Sequence, residues 1–173
     1  LAFARPGEAT EGEADLAVIA EEVEELTEPQ ARKREVVVKR SLARGQRVVR
    51  ADPGQISQVV LNLFLNAYQA FDRAEAEVER APVVQVIGER RDIGGRHFAC
   101  LGIRDNAGGV PEELRDRIFD PYFSTREDGS GLGLSISSRI AEAHDGFVDL
   151  DVDDSAGTTT FWVCLPSAED EFN

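Results

Sequence analysis

The sequence predicts a two-layer α/β sandwich, in which helices cover one face of a β-sheet. Three observations lead to this prediction. Apolar residues recur at helical spacing in some segments, other segments are short apolar runs typical of strands, and turns rich in glycine or aspartate separate them. The 173 residues, 42% of them hydrophobic, are enough for one domain with its own core.

The first third of the chain predicts a helix followed by a hairpin. The helix covers about residues 13–28, and its apolar residues are Leu16, Ile19, Ala20, Val23 and Leu26. Because Pro29 has no amide hydrogen, we expect this helix to end or kink near Glu28. Apolar runs on both sides of residues 43–45 then predict a short hairpin, with Val36, Val38 and Leu42 before the turn and Val48 and Val49 after it.

A second helix begins at Asp52 and Pro53. Aspartate suits the N-cap and proline suits the first helical position, where no amide hydrogen is needed. The helix runs to about Phe71 and must end before Pro82. The charged segment 74–80 is interpreted as a solvated helix end.

The second half of the chain predicts four strands and two helices. Strands at 83–89 and 97–104 are joined by a turn at 92–95 and should pair antiparallel. The later elements are a short helix opened by Pro111-Glu112-Glu113, a helix from about Leu132 to His144 closed by Gly146, and strands at about 147–152 and 158–165.

Composition narrows the possible functions. Acidic residues outnumber basic ones by 33 to 19, so the net charge of −14 disfavours binding to nucleic acid or to anionic membranes. The sequence has no run of 18 apolar residues and no leader at its start, which predicts neither membrane insertion nor export. Cys100 and Cys164 lie in apolar strands, and we interpret both as core residues rather than as a disulfide or a zinc site.

The second helix contains an unusual pair of amides. Asn62 and Asn66 are four residues apart, so they share one face of an otherwise mostly apolar helix. A buried amide without a partner costs about 1–3 kcal/mol, so something must bind these side chains. Two interpretations remain open: hydrogen bonds to the backbone of a neighbouring loop, or coordination of a hard cation such as Mg²⁺.

Two further segments have polar or glycine-rich patterns. Asp105 ends an apolar strand just before Gly108 and Gly109, and the segment is either a simple turn or a carboxylate placed to select an exocyclic amine such as that of adenine. Glycines at 129–133 precede a helix, so this segment is either an ordinary loop or a phosphate-binding turn at a helix N-terminus.

Together these motifs resemble a known family. The asparagine pair, the Asp-x-x-x-Gly segment, a Phe-x-x-x-Phe segment at 119–123 and Gly-Ser-Gly-Leu-Gly-Leu occur in one order. This order resembles the N, G1, F and G2 boxes of the GHKL superfamily, and within it the catalytic domains of sensor histidine kinases, closest to nitrogen-regulation and oxygen-sensing kinases. The resemblance covers about residues 15–166. It implies the Bergerat fold, with a mixed, mainly antiparallel sheet covered by helices on one face, and an ATP lid at about 119–131.

The resemblance also implies roles for individual residues. Asn66, supported by Asn62, would bind Mg²⁺, and Asp105 would accept a hydrogen bond from adenine. Asn66 and Arg126 would be the catalytic residues. The residues expected to contact ATP are Asn62, Asn66, Gln69, Asp105, Gly109, Val110, Ile118, Phe119, Thr125, Arg126, Gly129, Ser130, Gly131, Leu132, Gly133, Leu134 and Thr159.

The chain departs from the family pattern at three positions. Ala107 stands where the family usually has glycine, so a left-handed backbone there would cost roughly 1 kcal/mol or more. Gln69 replaces a frequent basic residue and Ala70 a frequent adenine-facing aromatic residue. We therefore expect Arg126 and Mg²⁺ to offset most of the phosphate charge.

The resemblance separates a kinase from a hydrolase. Hydrolysing relatives carry a glutamate as general base four residues before the metal-binding asparagine, where this chain has Asn62. Neither His97 nor His144 resembles an exposed phosphoacceptor in the middle of a helix, so we expect both to be structural. The acceptor histidine would then lie upstream, with residues 1–12 as the end of its dimerisation and phosphotransfer domain and residues 13–173 as the catalytic domain.

The implied partners are ATP, the upstream dimerisation domain and the receiver domain of a response regulator, in the cytoplasm. The chain alone would be monomeric and the whole protein a homodimer. Two alternatives stay open: an anti-sigma-type serine kinase of the same superfamily, and a nucleotide-sensing module without catalysis.

Overall fold

The computed structural model describes residues 12–42, 47–72, 80–125 and 129–168. Expectations for residues 1–11, for the turn at 43–45, for residues 74–79 and for Arg126 concern positions outside these ranges. The elements are β1 Glu13–Asp15, α1 Leu16–Lys33, β2 Val37–Arg40, β3 Val48–Arg50, α2 Pro53–Ala70, β4 Val83–Ile93, β5 Arg96–Asp105, α3 Glu112–Arg115, α4 Gly133–Ala143, β6 Phe147–Asp153 and β7 Thr158–Pro166.

Five strands form the main sheet, in the order β2-β4-β5-β7-β6. β2 pairs parallel with β4, and all other neighbours in this sheet pair antiparallel. β1 and β3 form a separate antiparallel ribbon. The predicted α/β sandwich with a mixed, mainly antiparallel sheet is confirmed.

The core lies between this sheet and the layer formed by α1, α2 and α4. Alternate residues of a strand point to opposite faces. In β5, accordingly, Leu101 and Ile103 belong to the core under the helices, whereas Phe98 and Cys100 belong to a small cluster on the other face. α2 packs against both α1 and α4, so it is the central helix of the layer.

The first helix differs from the prediction at both ends. It begins at Leu16 rather than at residue 13, because Asp15 is the N-cap and accepts a hydrogen bond from the Ala17 amide at 2.9 Å. It continues through Pro29 to Lys33. Proline removes the helical donor to the Glu25 carbonyl, but both residues are exposed, so water can replace that bond.

One apolar position of this helix was also predicted wrongly. Leu26 is 65% exposed, and Thr27 is buried in its place. The Thr27 hydroxyl donates to the Val23 carbonyl at 2.8 Å, so its polar group is satisfied within the helix. A threonine can therefore occupy a core-facing position that the apolar pattern assigned to leucine.

The predicted hairpin before α2 is wrong. Its two strands exist, but β2 pairs with β4 and β3 pairs with β1. Valine-rich runs indicate strands and do not specify which partner each strand takes, since pairing depends on distant parts of the chain.

The predictions for the other elements are confirmed within a few residues. Asp52 caps α2 by accepting from the Gly54 amide at 2.8 Å, and Pro53 is its first residue. β4 and β5 pair antiparallel across Gly94 and Gly95, which have φ of 61° and 78°. α3, α4, β6 and β7 also lie where the sequence predicts them.

The interpretation of the cysteines needs a correction. Cys100 and Cys164 are fully buried, as expected for core residues, but they form a disulfide. They lie opposite each other in β5 and β7, with Trp162 and Phe98 in the same cluster. Sixty-four residues separate them in sequence, so spacing alone carried no sign of their pairing.

Among the residues that the structure describes, no helix combines the length and the apolar character needed to cross a bilayer.

Candidate functional site

A cavity of about 620 Å³ lies between α2, the loop after β5 and the start of α4. Fourteen of the predicted contact residues line it: Asn62, Asn66, Gln69, Asp105, Gly109, Val110, Ile118, Thr125, Gly129, Ser130, Gly131, Gly133, Leu134 and Thr159. Three do not stand among the described lining residues. Phe119 packs against Phe161 with ring centroids 6.4 Å apart, Leu132 lies just outside, and Arg126 is not described.

The α2 side of the cavity carries the two asparagines, which differ in their contacts. Asn62 donates from Nδ2 to the Gly133 carbonyl at 3.2 Å and to the Ser137 hydroxyl at 3.1 Å. Its nitrogen thus binds α4, as the backbone interpretation anticipates, and its Oδ1 remains as an acceptor. The Asn66 Nδ2 is buried and has no hydrogen-bond partner among the described residues.

The opposite end of the cavity contains a buried carboxylate. Asp105 is 2% exposed and lies directly across from the buried Thr159, its partner on β7. Its Oδ1 accepts a hydrogen bond from the Ala107 amide at 3.0 Å. The apolar residues that line the same cavity include Val110, Leu114, Ile118, Leu134 and Phe161. This end can hold a flat apolar group and offers an acceptor for an amine on its edge.

The loop after Asp105 turns by means of glycine. Gly108 and Gly109 have φ of 108° and 92°, which favour glycine. Ala107 is not among the described residues with positive φ, so its replacement of the family glycine costs no strain of that kind. This departure therefore does not distort the loop.

The third side of the cavity is the turn that leads into α4. Gly131 has φ of 67°, and a Cβ there would overlap the backbone of Tyr122. Tyr122 itself has φ of 64° and is 79% exposed. The segment before α4 therefore packs backbone against backbone at this point. The start of α4 has no side-chain cap hydrogen bond among the described residues, so the first amides of the helix can serve an anion.

Charge is sparse in the cavity. Among the described lining residues, Asp105 has the one ionisable side chain, and none is lysine, arginine or histidine. The chain as a whole carries a net charge of −14. A phosphate group would therefore depend on helix amides, on a bound cation or on residues outside the described ranges.

Eight further residues line the cavity that the sequence did not assign to ligand contact: Leu65, Ala70, Ala107, Pro111, Leu114, Phe123, Ser124 and Phe161. The sequence contained a signal for some of these eight residues. Phe161 lies two residues after Thr159 on one strand and so shares its face. Leu114 gave no such signal, because its place depends on how α3 packs.

The structure supports a structural role for one of the two histidines, His144, whereas His97 lies at the surface. His144 is buried, with Nδ1 2.8 Å from the Ile140 carbonyl and Nε2 accepting from the Asp52 amide at 3.2 Å. It thereby joins the end of α4 to the start of α2. His97 is exposed beside Asp92, at 3.6 Å, in a strand rather than a helix.

Comparison with known sequences gives the family of the site. Residues 51–169 match the family described as histidine kinase-, DNA gyrase B-, and HSP90-like ATPase. The chain is 34% identical over 167 residues to the sensory histidine kinase/phosphatase NtrB of Vibrio alginolyticus, covering 94% of this chain and 45% of that protein. It is 33% identical over 116 residues to the sensor histidine kinase ZraS of Escherichia coli strain K12, covering 66% and 23%. The chain spans less than half the length of these relatives.

Solved structures of histidine kinases have the same fold as this chain. The catalytic domain of histidine kinase ThkA superposes with a TM-score of 0.73 at 26% identity, over 93% of this chain and 97% of that one. Full-length ShkA in complex with AMPPNP gives a TM-score of 0.74 at 26% identity, over 95% of this chain and 33% of that one.

Proposed function

Because this chain belongs to the histidine kinase-, DNA gyrase B- and HSP90-like ATPase family, as the ATP-binding catalytic domain of a sensor histidine kinase, we propose that the whole protein phosphorylates a histidine of its own upstream domain. The observation that carries the proposal is the cavity itself. Its described lining combines the buried carboxylate of Asp105, the Asn66 amide, whose nitrogen has no hydrogen-bond partner among the described residues, and the glycine-rich segment that leads into α4.

We propose that Asp105 selects the base. A buried, ionised carboxylate can accept hydrogen bonds and cannot donate them, so it favours the amine of adenine over the carbonyl of guanine. Thr159 lies across from it and supports it, directly or through water, while Val110 and Ile118 contact the ring.

The residues present fit a magnesium ion. Carboxamide oxygens are hard ligands, Mg²⁺ uses few protein ligands, and the described lining residues provide no cation of their own. We propose that Asn66 binds the ion and that Asn62 contributes through Oδ1, since its nitrogen is bound to α4. The bound ion would offset charge on the β- and γ-phosphates.

The phosphate end would rely on backbone amides. We propose that Gly131, Leu132 and Gly133 bring the first amides of α4 to the phosphate oxygens, together with Thr125, Gly129, Ser130 and Arg126. Gln69 and Leu134 also line the cavity. In the transfer step, an imidazole nitrogen forms a bond to the γ-phosphorus, the bond from γ-phosphorus to the β-bridging oxygen breaks, and ADP leaves.

The side chain of Asn62 favours phosphoryl transfer over hydrolysis. An amide cannot take a proton from water, so this position provides no general base for an attacking water. The nucleophile must then come from outside the cavity. We propose an upstream dimerisation domain as its source, a response regulator as the next acceptor, and the ATP-containing cytoplasm as the site of the reaction.

A phosphotransfer assay tests this proposal. The chain incubated with Mg²⁺ and γ-labelled ATP should bind nucleotide in the micromolar to millimolar range and should label neither His97 nor His144. The same chain extended by its native upstream segment should become labelled with acid-labile phosphate. Calorimetry that detects no nucleotide binding would contradict the proposal, as would phosphohistidine on either histidine of the present chain.

A further inference from the structure

The loop 106–110 links Asp105 to the base-facing wall of the cavity. Side chains and backbone groups outside the cavity hold this loop at its start, its middle and its end. The inference below rests on the proposed function, because it concerns how the same site selects adenine.

The start of the loop is held by Asn106. Its Oδ1 accepts from the Val83 amide at 2.8 Å, and its Nδ2 donates to the Ala81 carbonyl at 3.0 Å. The last backbone pair of the ladder between β4 and β5 joins Val84 and Asp105. The carboxamide therefore takes the place of the next rung and fixes the strand just beyond Asp105.

The middle and the end of the loop are held from the side of β6 and β7. The Gly108 amide donates to the Gly157 carbonyl at 3.1 Å. Arg115, in α3, donates from Nε to the Val110 carbonyl at 2.9 Å and forms an ion pair with Asp154 at 2.5 Å. One guanidinium thus ties the end of the loop to the turn between β6 and β7.

That turn is itself well fixed. Asp153 accepts from the Ser155 hydroxyl at 2.6 Å and from the Ala156 amide at 2.9 Å, and these hydrogen bonds lower the pKa of Asp153. Arg80 donates to the Ala156 carbonyl at 2.8 Å. The loop is therefore attached to a turn that has its own hydrogen bonds.

Such attachment matters because the loop contains two adjacent glycines with positive φ. Glycine loses more conformational freedom on ordering than any other residue, so a loop that became ordered only on binding would weaken affinity. A loop already held in shape avoids that loss.

We propose that Asn106 and Arg115 are positioning residues for adenine recognition. Neither is among the cavity-lining residues. Together they hold the loop in the shape that presents Asp105 and Val110 to the base before any nucleotide arrives.

Titration calorimetry of single variants tests the proposal, with ATP, GTP and adenosine as ligands. Asn106→Ala and Arg115→Ala should each lower ATP affinity about tenfold and reduce the preference for ATP over GTP. Adenosine should lose affinity by the same factor, because the loop serves the base and not the phosphates. Asn106→Asp keeps the acceptor for Val83 and loses the donor to Ala81, so its loss should be about threefold.

A matched control separates positioning from general stability. Asp15→Ala removes the N-cap of α1, away from the cavity. It should lower the melting temperature by an amount comparable to that of the loop variants and leave all three affinities unchanged. Asp154→Ala removes the partner that orients Arg115 and leaves the bond to Val110, so its effect should be smaller than that of Arg115→Ala.

The outcomes distinguish this proposal from the proposed function. If Asp105→Asn loses the preference for ATP while Asn106→Ala and Arg115→Ala keep both affinity and preference, the positioning proposal is overturned and the proposed function stands. If Asp105→Asn also keeps that preference, the base lies elsewhere, and both the role of Asp105 and the positioning proposal are overturned, while the phosphotransfer assay still decides the proposed function. Should Asn106→Ala fail to fold, Asn106→Asp and Arg115→Ala still decide the question.

Discussion

The two ends of the cavity are built differently. At the end where we place the base, Asp105 and Thr159 are buried on neighbouring strands, and the following loop is hydrogen-bonded along its length. At the end where we place the phosphates, Tyr122 is 79% exposed, and Ser130 is exposed as well. If these roles hold, the groups that select the base are fixed in advance, and we expect the groups that bind the phosphates to gain contacts when the ligand arrives.

This difference follows from where each segment attaches. The base-side loop leaves the central strand of a five-stranded sheet, so ladder bonds and side chains reach it from both neighbours. The contacts of the described phosphate-side residues include the backbone packing of Gly131 on Tyr122, the Arg117 guanidinium over the Phe123 ring at 4.7 Å, and the hydrogen bond of Asn62 to Gly133. The predictions below address the two ends separately.

The largest expected effect is on the phosphate end. Asn66→Ala should remove most of the gain in ATP affinity that Mg²⁺ produces, a change on the order of 100-fold, because the ion would lose the ligand that Asn66 is proposed to provide. Calorimetry with and without Mg²⁺ measures this gain. Adenosine binding should be unchanged, because adenosine carries no phosphate whose charge the ion would offset. A variant that keeps the full Mg²⁺ effect would contradict the role of Asn66.

The next effect is on the base end. Asp105→Asn should lower ATP affinity about tenfold and reduce the preference for ATP over GTP, because an amide can donate to the guanine carbonyl where a carboxylate cannot. Competition binding with the two nucleotides measures it. Asp151→Asn, the same change at an exposed position of β6, serves as the control. Unchanged discrimination would place the base elsewhere.

A smaller effect should come from replacing Gly131, with the replacement of Gly94 as the control. Gly131→Ala and Gly94→Ala both place a side chain at positive φ, but a Cβ meets nothing within 4 Å at Gly94 and overlaps Tyr122 at Gly131. The shared backbone cost is about 1 kcal/mol in each. Gly131→Ala should in addition weaken ATP binding several-fold while adenosine binding stays constant. Equal effects of both variants on ATP binding would show that the packing on Tyr122 does not serve the phosphate end.

The sequence was most informative where local chemistry decides the structure. Asp52 and Pro53 marked the start of α2, and the antiparallel pair β4 and β5 followed from the turn between them. The hairpin failed because β2 and β3 take partners from distant segments. Cys100 and Cys164 were missed as a pair for the same reason.

Among the predicted contact residues, the polar ones stood out because an amide pair or a strand-end carboxylate is unusual in an apolar run. Asn106 and Arg115 did not stand out. Their importance in our proposal lies in hydrogen bonds to backbone groups. Almost every residue type has such backbone groups, so no sequence pattern identifies these bonds. Positioning residues of this kind become visible only when the partners are placed in three dimensions.

The smallest expected effect concerns local order at the phosphate end. Five of the eight residues at 122–125 and 129–132 are exposed and none is fully buried, so little apolar burial offsets the entropy of fixing them without a ligand. When Mg²⁺ and a non-hydrolysable ATP analogue bind, amides at 122–125 and 129–132 should become protected from hydrogen exchange, because phosphate oxygens give them partners. The amides of strand 83–89 serve as the internal control and should change little, since ladder bonds already hold them. An equal rise in both segments would indicate stabilisation of the whole domain and would contradict specific phosphate contacts at 122–125 and 129–132. A phosphate end already fully protected in the free protein would mean that both ends of the cavity are fixed in advance.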